Sequence, residues 1–593
     1  MRKFEALPHS AAQRYYLPTI LLFAALAAVA ALSSLPALGL LFLAAVVVAV
    51  AACQRAPRLP AALTAAGYAC SVVAGLFLLL HANHVVAVYL YAAMIVTGWL
   101  AVTALPVPKD SAPSRAVAWL ERNALWLATF GALLLAWLPY WLSYFPGIMS
   151  PDSLSEWSQA LSMHLSDYSP AVYTLFMHFA GVVLGGPASV SLLQVGLSAA
   201  LIAALLAYLS AQGAPRWLIA ASIAYYIALP IFGTFTVTLW HDIPYSLLVL
   251  WVTHAMYQAY VSRGAWLASR AHCWALAAAL VLIPLFAHNG LSVVAGVLVG
   301  SWIVLRPWRR RVAAIAAGVI TGFLCVQVVV YPALGVQSYS KAFASEAMLH
   351  QLSAAIVQHG TSGLTSAEKT YLQEIMPFKD WVRKYNPYTP QFLVSPRYNP
   401  AYNQAPINRH YGEFLSVWAQ VALKYPWSYV GERLSENALV LQPTGMYKIA
   451  LSGLAVAPNA LGLKTHSLAQ NLLNTLRRIT AATTNKSAIW LWRPFWAMWL
   501  LVALTLAAAL LRSRRAVLFA AIPWVFQVLG LAISIQGQSV RYYYSLFLIV
   551  PYFAGIILLD ARVRIALRRL LPGEWRGLLS DAQALDGPSG PAA

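Results

Sequence analysis

The chain has 593 residues, 61% of them hydrophobic and only 10% charged, a balance that excludes a water-soluble globular protein and describes a polytopic membrane protein. Its 39 Lys and Arg against 18 Asp and Glu leave a formal charge of +21. The cations punctuate the apolar runs instead of lining one face, so the positive-inside rule absorbs most of the excess and no nucleic-acid partner is implied.

The basic start (Arg2, Lys3, Arg14) precedes an apolar run at 17–32, as in a signal peptide, but another span follows almost at once, so an uncleaved first helix is expected. Further cations recur at Arg55, Lys109, Arg122, Arg216, Arg263, Arg306 to Arg311, Arg512 and beyond Arg562. Placing them in the cytoplasm gives spans at 16–32, 37–53, 62–80, 85–105, 123–143, 189–210, 216–230, 243–260, 271–287, 289–305, 312–334, 490–511, 516–534 and 541–560. The segment 171–186 reads as a partial or paired element, because a full crossing there would invert the side of the clusters that follow. The expected fold is an all-α multi-pass protein with about 13–15 transmembrane helices. It divides into N-terminal spans (1–117), a module at 118–334, a polar, mainly helical domain at 335–489, closing spans at 490–560, and a basic segment with a disordered tail (561–593). Cys53, Cys70, Cys273 and Cys325 lie within or beside apolar segments without zinc spacing and read as small core residues.

The stretch 144–174 interrupts this apolar background with three carboxylates, Asp152, Glu156 and Asp167, and no cation. Pro146-Gly147 ends the preceding helix and turns the chain along the surface. Asp152 then stands as the N-cap of a short amphipathic helix, with Leu154, Trp157 and Leu161 on its apolar face and Ser155, Glu156, Ser158 and Gln159 opposite. As no Lys or Arg occurs between Arg122 and Arg216, this acidic loop at 144–170 belongs to the outer, periplasmic face. Three further polar groups emerge there: Trp240-His241-Asp242, His288-Asn289-Gly290, and the run Gln536 to Tyr542 containing Gln538 and Arg541.

Within the polar domain, Thr365-Ser366-Ala367-Glu368 is a capping box, 385–411 is irregular, and a second amphipathic helix runs from Glu413 to Lys424 before Tyr425-Pro426.

Taken singly, these polar groups are caps, turns and headgroup anchors. Their common placement at span ends on one face argues for a shared site. Carboxylates there can act as a general base for a hydroxyl nucleophile, and Arg541 with a His can stabilise a phosphate leaving group. Arg541 has no acidic neighbour close in sequence, so a lipid phosphate is the expected counter-ion; the rival is a structural pair with Asp152, Glu156 or Asp242. No nucleotide-binding loop, nucleophile elbow or zinc-protease helix is present. Ionisable groups at span ends, not at mid-membrane, make a transporter the weaker reading.

The order Pro146-Gly147-x-x-Ser150-x-Asp152-Ser153, Tyr173-Thr174, Asp242-Ile243-Pro244, Asn289-Gly290 and Arg541-Tyr542 resembles the C-type glycosyltransferase superfamily, and within it an uncharacterised bacterial membrane branch, over about 120–560. Three positions depart from that pattern: Ser169-Pro170 where His-Pro is usual, His241 in place of a Lys, and His288 in place of an Arg. The resemblance implies an inverting glycosyltransferase of the bacterial inner membrane. Its donor is a polyprenyl-phosphate sugar and its acceptor a lipid-linked or envelope glycan, on the periplasmic side.

Asp152 takes the role of base, Asp242 that of a second acid, and Arg541 that of the lipid-phosphate contact; Glu156, Asp167, His241, His288, Asn289, Gln538 and Tyr542 are the remaining substrate-binding candidates. No cofactor follows with certainty from the sequence; a divalent cation is the one candidate, with Asp152 and Asp242 to hold it. The alternatives are a lipid-linked glycan flippase or transporter, an O-antigen-type polymerase or ligase, and a non-catalytic assembly protein.

Overall fold

In the computed structural model, residues 115–444, 454–484, 489–510 and 515–559 are described, together with Ile95. The first four expected spans, Ile95 apart, lie outside them, as do Cys53, Cys70 and the C-terminal tail. Helices are the only regular elements among the described residues, with three isolated β-bridges and no strand.

The helices are α1 (Arg115–Ser143), α2 (Pro151–Ser162), α3 (Ala171–Met177), α4 (Pro187–Ala211), α5 (Arg216–Ala228), α6 (Pro230–Thr236), α7 (Asp242–Val261), α8 (Arg270–Phe286), α9 (Leu291–Val304) and α10 (Arg309–Cys325). After them come α11 (Glu346–His359), α12 (Ser366–Ile375), α13 (Tyr411–Lys424), α14 (Pro426–Glu436), α15 (Gln470–Thr483), α16 (Pro494–Leu510), α17 (Ala516–Ser534) and α18 (Tyr544–Leu558), with shorter turns between. Five stretches among the described residues are long and apolar enough to cross a membrane, and a bent pair makes six. Shorter apolar helices, α8, α9 and α16 among them, accompany these. The chain is thus an all-α protein with several helices fit to span a bilayer.

Contacts divide it into two units. One comprises 1–145, 195–237 and 466–482. In it the Trp137 indole donates to the Tyr226 carbonyl at 3.3 Å and Trp126 to Ala200 at 3.2 Å, tying α1 to α5 and α4. Gly233 lies flat on Tyr140; a Cβ there would sit 2.3 Å from the ring. The expected span 216–230 is instead the bent pair α5 and α6, turned by 63°. Leu229 precedes Pro230 and is extended (φ −79°, ψ 119°), because the proline ring disfavours the helical region for the residue before it.

The second unit comprises 146–194, 238–465 and 483–593. Its core helices α7, α9, α17 and α18 are apolar on all sides, the pattern of buried or membrane segments. Two polar pairs lie inside them: His254 Nδ1 with the Tyr552 hydroxyl at 2.7 Å, and Ser545 Oγ with Gln527 Oε1 at 2.5 Å. The segment 171–186 is α3 followed by a π-helical turn His178–Val182, too short for a full crossing.

The polar domain packs on Leu349, Leu352, Leu372, Trp381, Ile407 and Phe414. Thr365 and Glu368 form the expected capping box, and Lys424 at the end of α13 reaches back to Glu368 at 2.7 Å. Of the cysteines, Cys325 is exposed and Cys273 partly exposed, so neither is a core residue; both lie on apolar helices, where exposure without bilayer marks an outward-facing side.

Candidate functional site

Three turns of the second unit converge: the start of α2, the Trp240-His241-Asp242 corner that opens α7, and the 3₁₀ turn Val540–Tyr543 that opens α18. Gly147 takes φ 132°, a conformation glycine adopts freely, and starts the turn into α2. Residues 148 and 238 pair as a parallel bridge, Leu239 N donates to the Ile148 carbonyl at 3.0 Å, and the Trp240 indole donates to Ser150 Oγ at 3.0 Å. Tyr173 on α3 donates its hydroxyl to Gln194 at 2.7 Å, and Gln194 in turn donates to the Thr238 carbonyl at 2.7 Å. Gln527 of α17 donates to the Tyr542 carbonyl at 3.0 Å and holds the third turn.

Within this frame Arg541 Nη2 donates to Asp152 Oδ2 at 2.8 Å, while its Nε stands 3.4 Å from Asp242 Oδ2. The guanidinium also lies over the rings of Trp240 (5.3 Å) and Tyr542 (5.2 Å). His241 Nδ1 shares a hydrogen bond of 2.9 Å with Glu156 Oε1, and its Nε2 lies 3.8 Å from Asp242. Glu156 is fully buried and Asp242 nearly so, whereas the Asp152 side chain is 48% exposed. Asp152 is therefore the carboxylate an incoming molecule can reach. Glu156 Oε2 is buried without a hydrogen bond, whereas Asp242 Oδ2 and Arg541 Nε, which make none either, face each other as an ion pair.

Burial and charged neighbours compete at Asp152, Glu156 and His241, and the outcome differs from one to the next. Desolvation would raise the Asp152 carboxyl, yet Arg541 outweighs it and holds Asp152 below the ordinary range. Burial pushes Glu156 up, offset in part by His241. For His241 burial disfavours the charge, but Asp242 and Glu156 prevail and raise it. Glu156 and His241 thus both lean towards their protonated forms, and of the three carboxylates around Arg541 and His241 it is Asp152 that stays exposed.

Several expectations need correction. Asp152 is not the N-cap of α2: Ser150 is, in a capping box with Ser153, and Asp152 sits in the first turn, where the helix dipole favours a carboxylate. The expected faces of α2 are wrong at one position each: Glu156, placed on the polar face, is buried, and Leu161, placed on the apolar face, is exposed. The three carboxylates of 144–174 do not gather: Asp167 lies apart, 3.3 Å from His288 Nε2, and accepts from the Ala171 N–H at the start of α3. Of the two partners weighed for Arg541, the structure shows the one from within the chain, Asp152 and Asp242, which are far away in sequence. Gln538 is turned to the polar domain, its amide donating to the Ser435 carbonyl at 3.0 Å and its backbone N–H to Tyr388. Asn289 belongs to the 3₁₀ turn His288–Gly290, where its carbonyl accepts from Ser292. Gln194 is the positioning residue that reasoning from sequence missed, a lone amide in an apolar helix; Ser150 and Trp240 stand in the motifs read from the sequence, but without the positioning roles they have here.

As to metal, Asp152 and Asp242 are bridged by the Arg541 guanidinium, a cation from the chain itself. A second group, His350, Glu432 and Glu436, has ligand-capable atoms within 4.8 Å of one another and is buried. There His350 Nε2 bonds the Asn386 carbonyl, Nδ1 faces both carboxylates, and Arg433 pairs with Glu432 at 2.6 Å and with Glu436. A carbonyl and a carboxylate both accept, so the ring carries two N–H groups and the cluster balances two cations against two anions.

A family described as "Family of unknown function (DUF6020)" matches residues 164–438, which include His241, Asp242 and His288 but not Asp152 or Arg541. No curated protein matches the chain, and no solved structure does.

Proposed function

We propose that the chain is a C-type glycosyltransferase of the bacterial inner membrane, which moves a sugar from a polyprenyl phosphate to a hydroxyl of a lipid-linked or envelope glycan on the periplasmic side. The observation that carries the reading is the Asp152–Arg541–Asp242 arrangement at the ends of apolar helices. It offers a reachable carboxylate beside a guanidinium able to fork onto phosphate.

In this mechanism the donor phosphate competes with Asp152 for Arg541. Once the phosphate takes the guanidinium, Asp152 is released from the cation that depresses its basicity and can accept the acceptor's hydroxyl proton as the oxygen attacks the anomeric carbon. The lipid phosphate leaves from the opposite face, so configuration inverts. Asp242, buried and fixed at the N-terminus of α7, retains Arg541 at its Nε while Nη2 changes partner. Glu156 and His241 act behind it as a fixed support. The span number, the side of each turn and the thirteen-to-fifteen-helix count belong to the same proposal.

The test is transfer from a panel of labelled polyprenyl-phosphate sugars by the purified chain and by Asp152→Asn. Asn keeps the shape and removes the basicity, so turnover should fall by roughly 10²–10⁴-fold. Near-normal turnover in that variant would remove Asp152 from the role of base.

A further inference from the structure

Helix α14 is amphipathic in an unusual sense for a domain that packs on its own core. Ser428, Tyr429, Glu432 and Glu436 are buried, whereas Trp427 (82% exposed), Val430 (44%) and Leu434 (51%) stand at positions i, i+3 and i+7 on one outward stripe. Leu423, in the last turn of α13, is exposed as well. An exposed run of large side chains of this kind marks an interaction surface.

The position of the stripe identifies what covers it. Arg433 donates through Nη1 to the carbonyls of Ile533 (3.3 Å) and Ile535 (3.0 Å), and Asn437 Nδ2 donates to the Ala532 carbonyl at 3.3 Å. These bonds fasten α14 to the last turn of α17, one of the helices long and apolar enough to cross a membrane. On that turn Leu529 and Ile533 are themselves exposed, so the stripe continues the outward apolar surface of a span. A cavity of about 250 Å³ opens at the same level, lined by Val430, Leu434, Leu441 and Ala532, with Arg433 and Asn437 among its polar walls. Glu432 and Glu436 neutralise Arg433, which leaves apolar area, not charge, to make the contact.

We infer that α14 is an interfacial helix: Trp427, Val430 and Leu434 lie in the hydrocarbon edge of the bilayer at the depth of Ile533, and the cavity behind them receives a lipid chain. Such a helix lies in the plane of the membrane with its apolar side a few ångströms below the headgroups. It seats the polar domain on the bilayer and requires no anionic lipid. The inference stands whether or not the chain transfers sugars.

The experiment uses the full chain in phosphatidylcholine nanodiscs, with its native cysteines replaced by alanine and a spin label at Val430 or Leu434; Ser362, on the polar domain's exposed surface, serves as control. The ratio of oxygen to nickel-chelate accessibility should be several-fold higher at 430 and 434 than at 362. Labels as open to the nickel chelate as 362 would place α14 in water, and labels shielded from both reagents would place protein over it; either result overturns the inference. On the unsubstituted chain, a diazirine-bearing phosphatidylcholine should cross-link within 423–434, and its absence there would overturn the inference independently of any substitution.

Discussion

Arg541 meets Asp152 across 389 residues of chain. Its burial behind Trp240 and Tyr542 leaves the Asp242 contact as its drier half and the Asp152 contact as the one open to exchange. The two carboxylates should therefore respond differently. Asp242→Asn leaves a nearly buried guanidinium with less compensation and should lower thermal stability, by an amount on the order of 1–3 kcal/mol. Asp152→Asn, half exposed, should leave stability close to wild type. Arg541→Lys keeps a charge but loses the fork that spans two partners, so donor binding should weaken substantially while the protein still inserts. Donor binding and thermal unfolding measured side by side separate the roles: intact donor binding with lost stability would make Arg541 a purely structural link between α2, α7 and α18.

At this scale the sequence is informative about residue type and silent about pairing. Asp152, Glu156, His241, Asp242 and Arg541 are all visible as isolated polar groups in apolar surroundings, because burying a charge without compensation is expensive. Which of them meet depends on the packing of α7, α17 and α18, helices whose apolar sides are alike and carry no directional pattern. For that reason Asp167 and Gln538 look equivalent to Asp152 and Tyr542 in the sequence and lie elsewhere in the fold.

Among the elements, α2 is held by its cap. Ser150 accepts from the Ser153 N–H and from the Trp240 indole, so Ser150→Ala should cost about 1 kcal/mol from the cap and lower activity by loosening Trp240 behind Arg541; hydrogen exchange of 151–162 with turnover checks it. The misassignment of the cap has a simple cause, since Ser150 and Asp152 are both strong capping residues and Pro151 suits the first helical position, a choice local sequence leaves open until the helix start is seen.

The polar domain carries its own pH dependence. Burial, reinforced by Glu436, pushes the Glu346 carboxyl from 4.5 up to about 8. Burial opposes the charge on His350, but Glu432 and Glu436 prevail and raise it from 6.5 to about 9. Both folded values lie above the unfolded ones. The Glu346 contribution is complete below about pH 4.5 and lost towards 8, and that of His350 is complete below about 6.5 and lost towards 9. The melting temperature of the full chain should therefore fall from pH 6.5 to 9, and Glu346→Gln should flatten the part below 8. A melting temperature that rises over this interval would show that these groups are not held as described.

For the molecule as a whole, the helix boundaries were largely legible, since long apolar runs bounded by Arg and Gly mark themselves; α17 begins and ends where expected, and α7, α8 and α16 within a few residues. The bend between α5 and α6 and the short α3 were harder, because mean hydropathy does not register a break of one residue. The central claim, sugar transfer at the Asp152–Arg541 pair, rests on none of these boundaries and has one direct measurement. The purified chain is reconstituted with labelled polyprenyl-phosphate sugars and an envelope-glycan extract, and label moving to acceptor is counted for wild type and for Asp152→Asn with matched melting temperatures. Transfer from at least one donor by wild type, with loss of roughly 10²-fold or more in the variant, is the expected result; no transfer from any donor by the intact wild-type protein, or equal transfer by the variant, would contradict it.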